Sequence, residues 1–270
     1  MFHYQEHSAN EHLMDSLSTV DNAIDLLFHL GRSDQPLGVT ALARALDLPK
    51  SSTHRLLATL ARRGVLEQDE RRRYRPGAAL VALGLQGLDR DPIVAVTRPE
   101  LQLAAAELGE TVFLAGMRGG QLVVLDKAEG SGFLRAAPRV GEAVPIHATA
   151  VGKLALAFAP EVVSLGGAAL SAFTPATATS HEEIDAQVRR AALRGWAENR
   201  GEWIPGMSVV AVPILQEGRW VGALALAAAS AGVEALGVLA IVDRLRAAAR
   251  RVQERLQPPA PRRRGGKEAA

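Results

Sequence analysis

Residues Val39 to Leu57 carry two short runs of helical periodicity joined by a tight turn at Asp47-Leu48-Pro49. Leu42, Ala43 and Leu46 fall on one face of the first run, and Leu56, Leu57 and Leu60 on one face of the second. A charged turn then separates Val65-Leu66-Glu67-Gln68 from Arg73-Tyr74-Arg75. Helix, turn, helix and hairpin in that order predict a winged helix-turn-helix. Upstream, Ala23, Ile24, Leu26, Leu27 and Leu30 predict a supporting helix over Asp21 to Leu30, with Gly31 placed to end it. Thr40 is positioned to cap the second helix, Pro49 to enter the third, and Ser51 or Ser52 to cap that third helix. Ser51, Ser52, His54, Arg55 and Thr59 lie opposite the third helix's apolar face, open to a groove.

The charge distribution points the same way. Between Gly38 and Pro76 nine basic residues face four acidic ones, whereas from Pro92 to Gln257 sixteen of each cancel. Positive charge gathered on the helix-turn-helix segment is the footprint of a phosphate-binding surface, with double-stranded DNA the partner to test. Lys50, Ser51, Ser52, His54 and Arg55 are the candidates for the major groove. Arg71, Arg72 and Arg73, at the tip or return of the wing, are the candidates for phosphate or the minor groove. A protein-docking winged helix is the competing use of the same surface.

Ala78 to Leu88 reads as a linker helix, and Asp89-Arg90-Asp91-Pro92 punctuates a domain border. The expected division is a winged helix over 17–77, a linker over 78–91, a second domain over 92–257 and a disordered basic tail over 258–270. In the second domain, helical patterns at Ile93 to Leu108, Ala148 to Ala159 and Glu182 to Arg194 are set between strand pairs. One pair is Thr111 to Ala115 with Gln121 to Asp126, the other Val209 to Leu215 with Trp220 to Ala228, and a long helix over Gly232 to Leu256 closes the chain. This predicts a mixed sheet covered by helices in an α+β protein.

Several chemistries are excluded. The chain has no cysteine, so no disulfide, thiolate metal site or cysteine nucleophile. Gly152-Lys153 lacks the upstream Gly and following Ser or Thr of a phosphate loop. His3 and His7 have no third ligand in view, and His147 has no nearby carboxylate to orient it, which makes it structural or pocket-lining. No catalytic, metal or cofactor site is expected. The amino terminus lacks a signal-peptide core and no apolar run is long enough to span a bilayer, which predicts a cytoplasmic protein without a membrane partner.

Leu48-Pro49-Lys50-Ser51-Ser52-Thr53-His54-Arg55-Leu56-Leu57 resembles the recognition-helix signature of the IclR transcriptional regulators. Gly141 to Lys153, GEAVPIHATAVGK, is similar to that family's most recognisable segment, and Thr174, Ser180, Gly195, Trp196, Glu202, Gly206 and Ala211-Val212-Pro213 follow in family order. The resemblance implies a GAF-like effector-binding domain, dimers or tetramers on palindromic or repeated operators, and control by a small molecule; the expected role is repression of a catabolic or metabolic operon, with activation left open by the sequence. A metabolite-sensing or enzymatic GAF-like protein without operator binding is the alternative. By motif position the effector pocket is expected at Phe133, Ala150, Val151, Asn199, Met207, Val209, Ala225 and Ala227. Carboxylate-binding members of the family carry an acid, a thiol and strand hydroxyls at the positions of Asn199, Val209, Ala225 and Ala227. Aliphatic side chains at the last three imply a drier pocket and a larger, apolar or aromatic effector. A core filled by its own side chains is the competing reading.

Overall fold

The structure is a computed structural model that describes residues 5–33, 35–132, 139–166 and 169–257. His3, Phe133 and the tail 258–270 lie outside the described residues. The chain divides into two compact units, one up to Gly87 and one from Leu88 onward.

The first unit holds α1 (Gln5–Arg32), β1 (Leu37–Gly38), α2 (Val39–Ala45), α3 (Lys50–Arg62), β2 (Leu66–Gln68), β3 (Arg73–Pro76) and the start of α4 (Ala78–Asp89). Its core is Leu26, Leu30, Leu42, Leu57, Leu66 and Tyr74, drawn from every layer of the unit. α1 begins well before the expected Asp21 and runs through Gly31, which costs a helix only about 1 kcal/mol relative to Ala. Neither helix of the motif uses a side-chain cap: Gly38 precedes α2 and Pro49 precedes α3. Thr40, Ser51 and Ser52 instead lie inside their helices, and it is Thr53 whose Oγ1 donates to the Pro49 carbonyl at 3.1 Å. β1, too short to leave a periodic signal, joins the wing as a third strand in the order β1-β3-β2.

The end of α3 is tightly defined. Gly64 takes a left-handed φ of 71°, its N–H donates to the Ala61 carbonyl, and the Val65 N–H donates to the Leu60 carbonyl. This is a Schellman closure. The wing then returns to the same place: the Gly77 N–H donates to Val65 O and the Ala79 N–H to Gly64 O. A Cβ at Gly77 would lie 2.4 Å from the Gly64 carbonyl oxygen, so only glycine permits this clasp between α3 and α4.

The second unit contains α5 (Pro92–Leu108), β4 (Thr111–Arg118), β5 (Gln121–Ala128), α6 (Ala150–Phe158), α7 (His181–Arg194), β6 (Ala197–Arg200), β7 (Met207–Gln216), β8 (Arg219–Ala229), α8 (Ser230–Leu236) and α9 (Val238–Leu256). The sheet has the order β5-β4-β8-β7-β6, and every pairing is antiparallel. It is therefore not the mixed sheet expected from the strand pattern. Two hairpins placed side by side need no parallel crossover. β6 was not expected at all, being four residues long and mostly polar. The expected single closing helix is two, because Gly237 adopts a φ of 79° between α8 and α9.

Strand alternation gives the sheet two different faces. Val112, Leu114, Val210, Val212, Leu224 and Leu226 pack against α5 and α9 in a core of large aliphatic side chains. Phe113, Ala115, Val209, Ala211, Ala223, Ala225 and Ala227 face the other way, with α6. Short side chains on that face let α6 lie close to the sheet. Thr149 caps α6 by accepting the Gly152 N–H at 3.1 Å, and a Cβ at Gly152 would sit 1.9 Å from the Ile146 carbonyl oxygen.

Candidate functional site

The helix-turn-helix puts one polar, basic face outward. Leu57 and Thr53 point into the core, which turns Lys50, Ser51, His54, Arg55 and Thr59 to the surface, with Ser52 half-buried. Among the described residues, Lys50 and Arg55 have no carboxylate partner, so their charges face solvent.

The wing treats its arginines unequally. Asp69 Oδ1 accepts the N–H groups of Arg71 and Arg73 at 3.0 and 2.8 Å, folding the turn around itself. Asp69 Oδ2 accepts from the Arg73 guanidinium at 2.8 Å. The Arg73 backbone N–H and then its guanidinium hold the Asp69 carboxyl below the usual carboxylate range. Arg75 pairs with Glu67 directly opposite it across the hairpin, at 3.0 Å. Arg72, at a φ of 58°, and Arg71 occupy the tip, exposed and without an ion pair among the described residues. Of the three wing arginines expected at a phosphate, Arg71 and Arg72 are the ones left free. A basic helix face beside a wing with two unpaired guanidinium groups suits a groove lined by phosphates.

The residues expected around an effector lie together in the second unit. Ala150, Val151, Met207, Val209, Ala225 and Ala227 belong to the cluster between α6 and the small-residue face of the sheet. Asn199 is the polar member of the set, and its amide is already engaged at both ends. Its Nδ2 donates to Ala148 O at 2.8 Å, and its Oδ1 accepts the Val209 N–H at 3.1 Å. The first-turn N–H groups of Ala150 and Val151 have no acceptor within their own helix. His147 stands nearby with Nε2 2.9 Å from the Ser171 carbonyl and its ring 5.5 Å from Phe173.

One pair escaped the sequence reading. Lys153, in the apolar run of α6, is 3% exposed. Its Nζ donates to both carboxylate oxygens of Glu202, at 2.6 and 2.7 Å, and to the Glu198 carbonyl at 3.0 Å. Burial pulls its pKa below the ordinary lysine value, while Glu202 opposes that shift. The Glu202 backbone carbonyl in turn accepts Thr177 Oγ1 at 2.6 Å. The signal was present in sequence: a lysine within Ala150-Val151-Gly152-Lys153-Leu154-Ala155-Leu156 must find an acid when the helix is buried. Its partner, 49 residues later, was not identifiable from spacing. Among the described residues no group of acids and histidines is arranged to hold a metal, and no helix is long and apolar enough to cross a membrane.

Residues 19–70 match the IclR helix-turn-helix domain, and residues 85–254 match the C-terminal domain of bacterial IclR transcriptional regulators. The HTH-type transcriptional regulator XynR of Escherichia coli (strain K12) is 30% identical over 226 residues, which cover 82% of this chain and 90% of that protein. The transcriptional repressor IclR of the same organism is 28% identical over 209 residues, 75% of this chain and 76% of that protein. An IclR regulator from Alicyclobacillus acidocaldarius has a TM-score of 0.74 at 28% identity, over 88% of this chain and 98% of that one. An IclR homolog from Microbacterium hydrocarbonoxydans, solved with 4-hydroxybenzoate, shares the fold with a TM-score of 0.75 at 23% identity, over 88% and 98% of the two chains. The chain belongs to the IclR family: it is a DNA-binding transcriptional regulator and not an enzyme.

Proposed function

We propose that this regulator represses a catabolic or metabolic operon in the cytoplasm and releases its operator when an apolar or aromatic acid enters the cluster between α6 and the sheet. In this reading 17–77 reads DNA, 78–91 transmits and 92–257 senses. The observation that carries the effector class is Asn199. Its amide is spent on Ala148 and Val209, and the side chains of Ala150, Val151, Met207, Val209, Ala225 and Ala227 offer no hydrogen bond. A small oxoacid would lose its water shell there and gain few partners. An aromatic acid gains apolar burial over its ring and would turn its carboxylate to the first-turn N–H groups of Ala150 and Val151. The fold of the Microbacterium relative accommodates a ligand of that kind.

The reading further assigns Lys50, Ser51, Ser52, His54 and Arg55 to base edges and Arg71, Arg72 and Arg73 to the backbone or minor groove. It also requires a homo-oligomer, because one helix reads too few base pairs for operator-grade selectivity. Exposed Val20, Ile24 and Phe28 at four-residue spacing on α1, and exposed Val81, Leu83 and Leu85 on α4, support a self-association surface. Titration calorimetry with 4-hydroxybenzoate and related aromatic acids against pyruvate and glyoxylate tests the effector class. Micromolar binding of an aromatic acid is expected, and binding of pyruvate or glyoxylate alone overturns the reading.

A further inference from the structure

A cavity of about 210 Å³ opens beside the buried ion pair, between α7 and β6. It is smaller than a drug-sized site and suits a compact metabolite. Its wall is basic: Lys153, Arg190, Arg194 and Arg200 line it with only Glu198 and Glu202 opposing them. Lys153 is satisfied by Glu202 and the Glu198 carbonyl, so its charge is already matched. Arg200 uses Nε on Glu198 at 3.2 Å, which leaves its terminal nitrogens free. Arg194 stacks over Trp196 at 5.4 Å, and that contact leaves the guanidinium edge open. Arg190 has no hydrogen bond or ion pair among the described residues.

Positive charge alone would describe an ordinary solvated face. Gln187, which also lines the cavity, is different: its Oε1 is buried and no donor reaches it. Three cationic donors and one buried acceptor ask for a ligand with acidic oxygens and a hydroxyl. The cavity borders the α6 cluster through Ala191 and Ala197, while Glu198 and Arg200 alternate to the side of β6 opposite Asn199.

We infer that the α7–β6 cavity is a second ligand site, one that takes a small hydroxylated polyanion. Arg190, Arg194 and Arg200 hold its carboxylate or phosphate oxygens and Gln187 Oε1 accepts its hydroxyl. Citrate, tricarballylate (the same skeleton without the hydroxyl) and glycerol 3-phosphate are the probes, titrated into the full chain at low chloride. Calorimetry and Trp196-sensitive fluorescence are the readouts. Citrate or glycerol 3-phosphate is expected to saturate below about 10 mM, and which of them binds tells a carboxylate source from a phosphate one. Arg190→Ala is expected to weaken binding about tenfold without altering the circular dichroism spectrum. Where citrate binds, tricarballylate binds more weakly than citrate to the unaltered chain and equally to Gln187→Leu. Because the winged helix also attracts anions, the affinity must survive Arg55→Ala combined with Arg72→Ala. Absence of saturation by both citrate and glycerol 3-phosphate, no effect of Arg190→Ala, or loss of binding in the winged-helix variant overturns the inference.

Discussion

Two sets of charges, one in each unit, are handled in opposite ways. In the first, Lys50, Arg55, Arg71 and Arg72 stand in solvent without acids among the described residues, on elements held by a six-residue core. In the second, Lys153 is buried against Glu202, and Glu100, 3% exposed, is clamped between Arg251 and Arg255 of α9. The same residue types therefore serve different ends. An unpaired exposed cation costs the fold little and remains available to phosphate. A paired buried cation contributes to one arrangement of the backbone and is unavailable to anything else.

The sharpest way to break this contrast is to remove one half of a buried pair. Lys153→Met leaves Glu202 without its counter-charge and is expected to destabilise the chain by about 3–5 kcal/mol in urea unfolding. Replacing both, as Lys153→Met with Glu202→Leu, should recover most of that loss, and a double variant as unstable as the single one would mean the pair holds more than its own charges. An exposed cation should behave otherwise. Arg55→Ala is expected to leave unfolding unchanged and to weaken operator binding by about 1–3 kcal/mol in a gel shift, with selectivity relaxed at one base pair. Unchanged footprinting would remove Arg55 from the base-reading set. Arg72→Ala should cost less and cost it on every sequence, lowering the slope of log affinity against log salt by about 0.9.

The smallest effect concerns the wing turn. Asp69 has a folded-state pKa lowered from 3.8, so its contribution is complete above that value and disappears as pH falls through the lower folded one. The Arg71 and Arg73 amide resonances should report a midpoint below 3.8, and a midpoint at or above it would disconnect Asp69 from the turn.

The first unit was the more readable because its determinants are local. Leu42, Leu57 and Leu66 announce their buried faces by spacing, and Arg55 its exposure by the helix opposite them. What failed there were the caps, since Thr40, Ser51 and Ser52 lie two or three residues past the positions that Gly38 and Pro49 hold. In the second unit the hairpins were legible from Gly119-Gly120 and Glu217-Gly218, which hold positive φ, while their arrangement was not. No local pattern says that β4 lies beside β8 or that Lys153 reaches Glu202. The proposed effector cluster rests on family position alone, because alanines such as Ala225 and Ala227 carry no chemistry that distinguishes a pocket wall from packing.

The clasp around Gly64 and Gly77 gives the reading head a mechanical property. With Gly77 bonded to Val65 and Ala79 to Gly64, the first turn of α4 is tied to the end of α3 at two backbone points. A twist applied to that turn is passed through those two bonds to the end of the helix that bears Arg55, as torque passes through a keyed shaft. A side chain at Gly77 would jam the key in its slot.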